Sequence, residues 1–223
     1  MRKFGFTLAE VLVTLGIISV ISAMTIPSIS AKANNKAFAA KLSTTITTLE
    51  TAFSNMMVDE GVADFFEIEE YKDKISKYIK ITKLEDGDFG ENYKEDFTKN
   101  NFGKTIDGEV GLTGSDYKSR GMPLLLKNNA LVQIADTKIT IDVNGDLKPN
   151  VYGRDLFLFD ISSEGKLYAY GSRALVDLNK DNPSWDRAEH WSTSSNKLYA
   201  CNDTKKALGC AGRLVENNFV VDF

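Results

Sequence analysis

The chain has 223 residues and a formal net charge of −4, from 27 Lys and Arg against 31 Asp and Glu. With 43% hydrophobic and 26% charged residues it can bury one sizeable core plus an appended element, and it is short for two full domains. The acidic balance argues against nucleic acid as the main partner, and a single histidine, His190, leaves little material for histidine-dependent metal or nucleophilic chemistry.

Arg2 and Lys3 precede a run from Phe6 to Ile29 that is almost uniformly apolar apart from Glu10. Val11 to Ile26 carries no charge. With its flanks this run reaches about 20 residues, roughly 30 Å of helix, which matches a bilayer core. The basic start directs the rest of the chain outward. A secretory signal peptide shares the basic start and apolar middle, with Ser30-Ala31-Lys32-Ala33 as its cleavage site. Its apolar region is normally shorter and lacks an acid. Thr7-Leu8-Ala9-Glu10 also fits a capping box, a first-turn role for Glu10 that leaves the membrane length unexplained.

Gly5-Phe6-Thr7-Leu8-Ala9-Glu10, behind a short basic leader and ahead of the apolar run, resembles the prepilin signature of type IV pilins and type II secretion pseudopilins. The resemblance covers about 25 residues, and the remainder matches in general plan alone. It implies a leader of residues 1–5, cut by a prepilin peptidase between Gly5 and Phe6, with methylation of the new Phe6 amine. Glu10 becomes the fifth residue of the mature chain, and Pro27 the twenty-second, where many pilins also have proline. A buried carboxylate is tolerated when it meets a cation, and breaking such a pair costs several kcal/mol. In the family that cation is the Phe6 amine of a neighbouring subunit, so Glu10 and Phe6 are the assembly pair.

The implied fold is α+β: a long helix over residues 6–58, with about 6–28 in the membrane or filament core, packed against an antiparallel β-sheet head. After Pro27 the helix turns amphipathic, since Phe38, Leu42, Ile46, Leu49, Phe53 and Met56 recur at spacings of three and four. That stripe is expected to dock the head. Gly16 and Pro27 both weaken intrahelical bonding. Residues 59–104 form a polar, variable linker region in which Ile68, Tyr71, Ile75 and Tyr78 suggest a short amphipathic helix.

The head, residues 105–223, reads as four or five antiparallel strands. Leu124–Leu126 and Ala130–Ile134 flank a hairpin turn at Lys127–Asn129. Lys138–Asp142, Leu156–Ile161 and Lys166–Tyr170 follow. Residues 171–200 look irregular, and Trp185, His190 and Trp191 form either a binding patch or satellite packing under a long loop. Ala211 to Asn218 reads as a short helical turn and Phe219–Phe223 as a last strand. Cys201 and Cys210 read as one disulfide in an exported chain and as unrelated thiols in a cytosolic one. Many pilins carry a C-terminal disulfide, which favours the bond.

The segment Asp142-Val143-Asn144-Gly145-Asp146 places oxygen side chains at alternate positions, with Asn150 and Asp155 as further ligands of a candidate calcium site. The EF-hand pattern wants glycine and glutamate where Leu147 and Gly153 stand. The competing reading is a tight turn at Asn144-Gly145 whose acids bond to backbone. No H-E-x-x-H or G-x-S-x-G occurs, and Gly103-Lys104-Thr105 lacks the first glycine of a phosphate loop, replaced by Thr98. Glu69-Glu70 reads as a solvated charged surface.

No enzyme is expected. The expected function is a structural subunit of a type IV pilus-like filament or a type II secretion pseudopilus. It would sit as a single-pass inner-membrane protein with the head extracytoplasmic, then enter a filament in the periplasm or at the cell surface. Its partners would be the peptidase, other subunits, membrane lipid, and an inner-membrane platform driven by a separate ATPase. The alternative is a minor pilin whose head binds a surface, a secreted substrate or DNA.

Overall fold

The computed structural model describes residues 5, 7–83, 104–105, 124–135, 137–145, 147, 150–178, 189–194, 199–202, 205–206 and 208–222; the side chains of 27–32, 72–73, 83, 104–105, 135 and 205–206 are outside that description. The chain divides into two compact units, Met1–Ala37 and Phe38–Phe223. One helix, α1 (Leu8–Glu60), contributes residues to each.

In the first unit, Leu8–Ile26 is long and apolar enough to cross a membrane, and none of it is buried. Its polar side chains are compatible with lipid because Thr14, Ser19 and Thr25 each donate a hydroxyl to the carbonyl four residues earlier. The helix runs unbroken through Gly16 and Pro27.

The second unit is built on the rest of α1. Leu42, Leu49, Phe53 and Met56 are fully buried, and Phe38 and Ile46 pack partly buried beside them, so the three-and-four spacing does mark the inward face. Beyond α1 the chain makes a 3₁₀ turn at Phe65–Glu67, the short helix α2 (Tyr71–Lys74) and a second 3₁₀ turn at Ile75–Lys77. Phe65, Ile68, Ile75 and Ile79 join the same core.

The strands are β1 (Ile81–Lys83), β2 (Lys104–Thr105), β3 (Leu124–Leu126), β4 (Leu131–Ala135), β5 (Lys138–Asp142), β6 (Val151–Tyr152), β7 (Leu156–Ile161) and β8 (Leu167–Ala169). They form one sheet in the order β1-β3-β4-β5-β7-β6-β2, with β8 also on β7. The four or five expected strands are thus the centre of a wider sheet. The pairing is mixed rather than wholly antiparallel, because β6 runs parallel to both β2 and β7. Val132, Ile134, Ile139, Ile141, Phe157, Phe159 and Ile161 share the core with α1. The alternate residues Leu131, Leu156 and Leu158 enter a second cluster with Tyr152, Tyr170, Leu175 and Leu208. Covered on both faces, β7 is buried at every position, which explains its near-continuous apolar sequence.

The β3–β4 hairpin is pinned to α1. Asn129 takes the left-handed conformation that asparagine tolerates (φ 63°). Lys41 Nζ on α1 donates to its carbonyl at 3.0 Å, and Asn128 Nδ2 donates to Thr45 Oγ1 at 2.9 Å.

Two expectations for the C-terminal part are corrected. The irregular stretch 171–200 begins with a helix, α3 (Arg173–Leu178), whose Leu175 is buried. Phe219–Phe223 is not a strand: after helix α4 (Cys210–Glu216), Asn218 and Phe219 adopt left-handed backbone and the described residues to 222 continue as turn and coil. The helical turn expected at Ala211–Asn218 is α4. A separate two-stranded ribbon pairs β9 (Cys201–Asn202) with β10 (Lys205–Lys206).

Candidate functional site: the N-terminal signature and the head loops

Glu10 lies in the first turn of α1, and the capping-box expectation holds at atomic level. Its Oε2 accepts from Thr7 N at 2.8 Å and from Thr7 Oγ1 at 2.9 Å, while Glu10 N donates back to Thr7 Oγ1 at 3.2 Å. Reciprocal capping satisfies donors that a helix start leaves open. It uses one carboxylate oxygen. The other, Oε1, has no hydrogen-bond partner among the described residues, so the acid that closes this helix start keeps a face free for a second partner. Gly5 lies outside the helix and has no regular secondary structure. Phe6, the other half of the expected pair, is outside the described residues.

A family model described as the prokaryotic N-terminal methylation motif matches residues 1–26. The chain carries the type IV pilin and pseudopilin signature. That match covers the leader, Gly5, Phe6, Glu10 and the apolar run together, the same residues on which the resemblance rested. No curated protein and no solved structure matches the chain. Signature and apolar helix together support a membrane anchor, and the long N-terminal helix followed by a mixed sheet is consistent with a pilin-like α+β fold.

The second candidate, the loop between β5 and β7, brings together Asp142, Asn144, Asn150 and Asp155, all buried. Asp146 is outside the described residues. Asp155 is the hub: Oδ2 accepts from Asn144 Nδ2 at 2.9 Å and Asn150 N at 3.0 Å, and Oδ1 accepts from Val151 N at 2.7 Å. Asp142 Oδ1 accepts from Asn144 N at 3.1 Å across the turn at Gly145. Burial raises the pKa of Asp155. Burial, then the negative charge of Asp155, pushes Asp142 well above the usual carboxylate range. The outer amide atom of Asn150 lies 2.7 Å from Asp142 Oδ2 and 3.1 Å from Leu147 O. As an amide nitrogen it donates to both and closes the loop on itself; as an oxygen it completes a cluster of three acceptors. The tight Asn144-Gly145 turn is real, with Gly145 at φ 79° and a Cβ there placed 3.0 Å from Asn129 O.

The third candidate is the C-terminal region. Cys201 and Cys210 are joined by a disulfide. His190 and Trp191 do not form an open aromatic patch. Trp191 Nε1 donates to Glu216 Oε2 at 2.7 Å, His190 Nε2 lies 3.0 Å from the same oxygen, and the Arg213 guanidinium stands over the Trp191 ring at 5.1 Å. Arg173 N donates to Glu216 Oε1 at 2.6 Å. Burial works to raise the Glu216 pKa, but the hydrogen bonds from Arg173, Trp191 and His190 outweigh it and hold the group below its ordinary value. Trp185 is outside the described residues.

Sequence reasoning missed Glu216 as the hub that ties α3, the His190–Trp191 turn and α4 together. Its partners lie 25, 26 and 43 residues away, so no local spacing reveals them. It also missed that Ser192 Oγ lies 2.7 Å from His190 Nδ1, a serine–histidine–acid chain in outline. The backbone N–H groups of Thr193 and Ser194 both point to the His190 carbonyl, so they supply no oxyanion hole for an acyl-transfer reaction.

Proposed function

We propose that this chain is a structural subunit of a type IV pilus-like filament or a type II secretion pseudopilus. In this reading a prepilin peptidase cuts between Gly5 and Phe6, and the Phe6 amine is methylated. The helix then passes from lipid into a polymer core of its own copies. The observation that carries it is a lone acid on an otherwise charge-free, unburied membrane-length helix, inside a matched methylation motif, with one carboxylate oxygen left open. Each incoming Phe6 amine would neutralise a Glu10 already stranded in the apolar layer, which favours docking in register. The mechanical work would come from an inner-membrane platform and its separate ATPase, and the chain itself would catalyse nothing. Before assembly the head would lie outside the cytoplasmic membrane; afterwards it would clothe a filament in the periplasm or at the cell surface.

Glu10→Ala is the test. The variant should still be processed and membrane-bound, yet yield few or no filaments in sheared fractions viewed by electron microscopy. Wild-type filament yield from it would remove the pairing. The minor-pilin alternative, a head that binds a surface, a secreted substrate or DNA, ranks second because His190 and Trp191 are spent on internal bonds.

Calcium at Asp142, Asn144, Asp146, Asn150 and Asp155 is a second reading of the head loop. The buried carboxylates of Asp142 and Asp155 on one loop favour it, since hard cations take oxygen ligands, but the Asn150 amide nitrogen donates to Asp142 and Leu147 and so already fills the space between them. The self-closed loop leads, since both carboxylates already accept backbone N–H groups. Isothermal titration of the detergent-solubilised chain with calcium should therefore give no heat and no thermal shift. Stoichiometric binding that Asp142→Asn abolishes would reverse the order.

A further inference from the structure

The net acidic head has a groove with the opposite charge. It is an open depression of about 760 Å³ beside α2 and β1. Lys77, Lys80 and Lys127 line it, with the hydroxyl side chains of Ser76, Tyr78 and Thr82. The three lysines are exposed and have no carboxylate partner among the described residues. Other lysines of the head differ: Lys74 pairs with Glu60 at 2.8 Å, Lys138 with Asp160 at 3.3 Å and Lys166 with Glu164 at 2.9 Å. Three ammonium groups left open around one depression repel one another and are relieved by an anionic partner.

The same head carries the complement. Where α1 ends and α2 begins, Glu67, Glu69 and Glu70 are exposed and have no ion pair among the described residues. We propose that the lysine groove of one subunit receives this Glu67–Glu70 shoulder of a second copy of the chain. The inference rests on the filament reading above and names the contact between heads that accompanies helix burial.

Two considerations select a second copy over a phosphate polymer. The groove holds one aromatic ring among its lining residues, Tyr78, whose hydroxyl is committed to Asp59 at 2.8 Å, whereas surfaces that bind nucleic-acid strands stack successive bases on several rings. A filament also needs heterologous contacts, in which one patch meets a different patch on the next subunit. A basic groove and an acidic shoulder on one head supply that pair, whereas groove against groove would repel. Burying α1 among its copies would hold heads at high effective concentration, so a contact weak between free heads becomes occupied in the polymer.

The experiment reverses the charges in the full-length chain, expressed with its assembly system. The triple variant Lys77→Glu, Lys80→Glu, Lys127→Glu should lower sheared filament yield about tenfold or more, since like charges then face each other across the contact. Its detergent-extracted head should melt as wild type does, because all three positions are exposed. Adding Glu67→Lys, Glu69→Lys and Glu70→Lys to the same chain should restore yield, because both sides of the contact have then changed sign. Wild-type yield from the triple variant overturns the contact and leaves the filament reading standing. So does failure of the six-fold variant to improve on it while melting normally, or loss of duplex DNA binding with filaments intact. If the wild-type chain yields no filament, the filament reading falls and this contact with it.

Discussion

Asp160 on β7 shows how a single residue can set the pH response of the head. It is buried, and Lys138 Nζ approaches its Oδ1 at 3.3 Å while donating to Tyr170 Oη at 2.5 Å. Burial outweighs the attraction of Lys138, and the pKa of Asp160 rises from 3.8 to about 6. The folded state therefore binds a proton more readily than the unfolded chain. Between pH 6 and 3.8 the folded form gains stability as pH falls, and above pH 6 that gain is absent. The span corresponds to roughly 3 kcal/mol at about 1.4 kcal/mol per pH unit. Glu216 works in the opposite sense: its lowered pKa gives stability above the unfolded value that is lost as pH drops through the folded one. Asp160→Asn should remove the first effect and leave the second. Denaturant unfolding of the solubilised chain at pH 4 and pH 7 should thus show a wild-type advantage over the variant that shrinks from pH 4 to pH 7. Parallel profiles would exclude Asp160 as the titrating group.

At the scale of elements, what the sequence disclosed follows from which periods it carries. The α1 stripe is legible because Leu42, Leu49, Phe53 and Met56 face one core over several turns, and β4, β5 and β7 because their alternation is long enough to mark a face. Strands β2 and β6 have two residues each and hold their place by pairing at the sheet edge, a tertiary fact with no local pattern behind it. The failed last strand is the instructive case. Phe219 and Val221 alternate as a strand would, and both do pack partly buried against the core. They do so from a turn, with Phe219 N bonded to Leu214 O at 2.8 Å and Asp222 held by Arg213 at 2.9 Å. Alternation reported burial correctly and conformation wrongly. In the Asp142–Asp155 loop the oxygen spacing was legible, but the dominance of Asp155 over Asp142 as acceptor depends on backbone N–H groups that only the closed loop brings round.

For the whole molecule, the two units place opposite demands on solvent. Leu8–Ile26 exposes an apolar surface that water disfavours, and no part of that window is buried in the chain itself. The unit beginning at Phe38 encloses its own core, with α1 supplying one wall from Ala39 onward and the sheet the other. On the proposed filament reading, helical stability in α1 has two sources, lipid or neighbouring copies for the front part and head packing for the rear. A chain begun at Asn34 keeps every buried α1 residue of the core and removes the membrane segment. Purified in oxidised form, it should be a monomer by light scattering, unfold cooperatively, and melt within a few degrees of the solubilised full-length protein. Its disulfide should contribute as in the full-length chain, because Cys201–Cys210 closes a loop worth about 2–3 kcal/mol in the entropic model whatever precedes residue 34. A truncated chain that aggregates, or melts without cooperativity, would mean that the head depends on the front of α1 for its fold and that division at residue 37 is not a thermodynamic one.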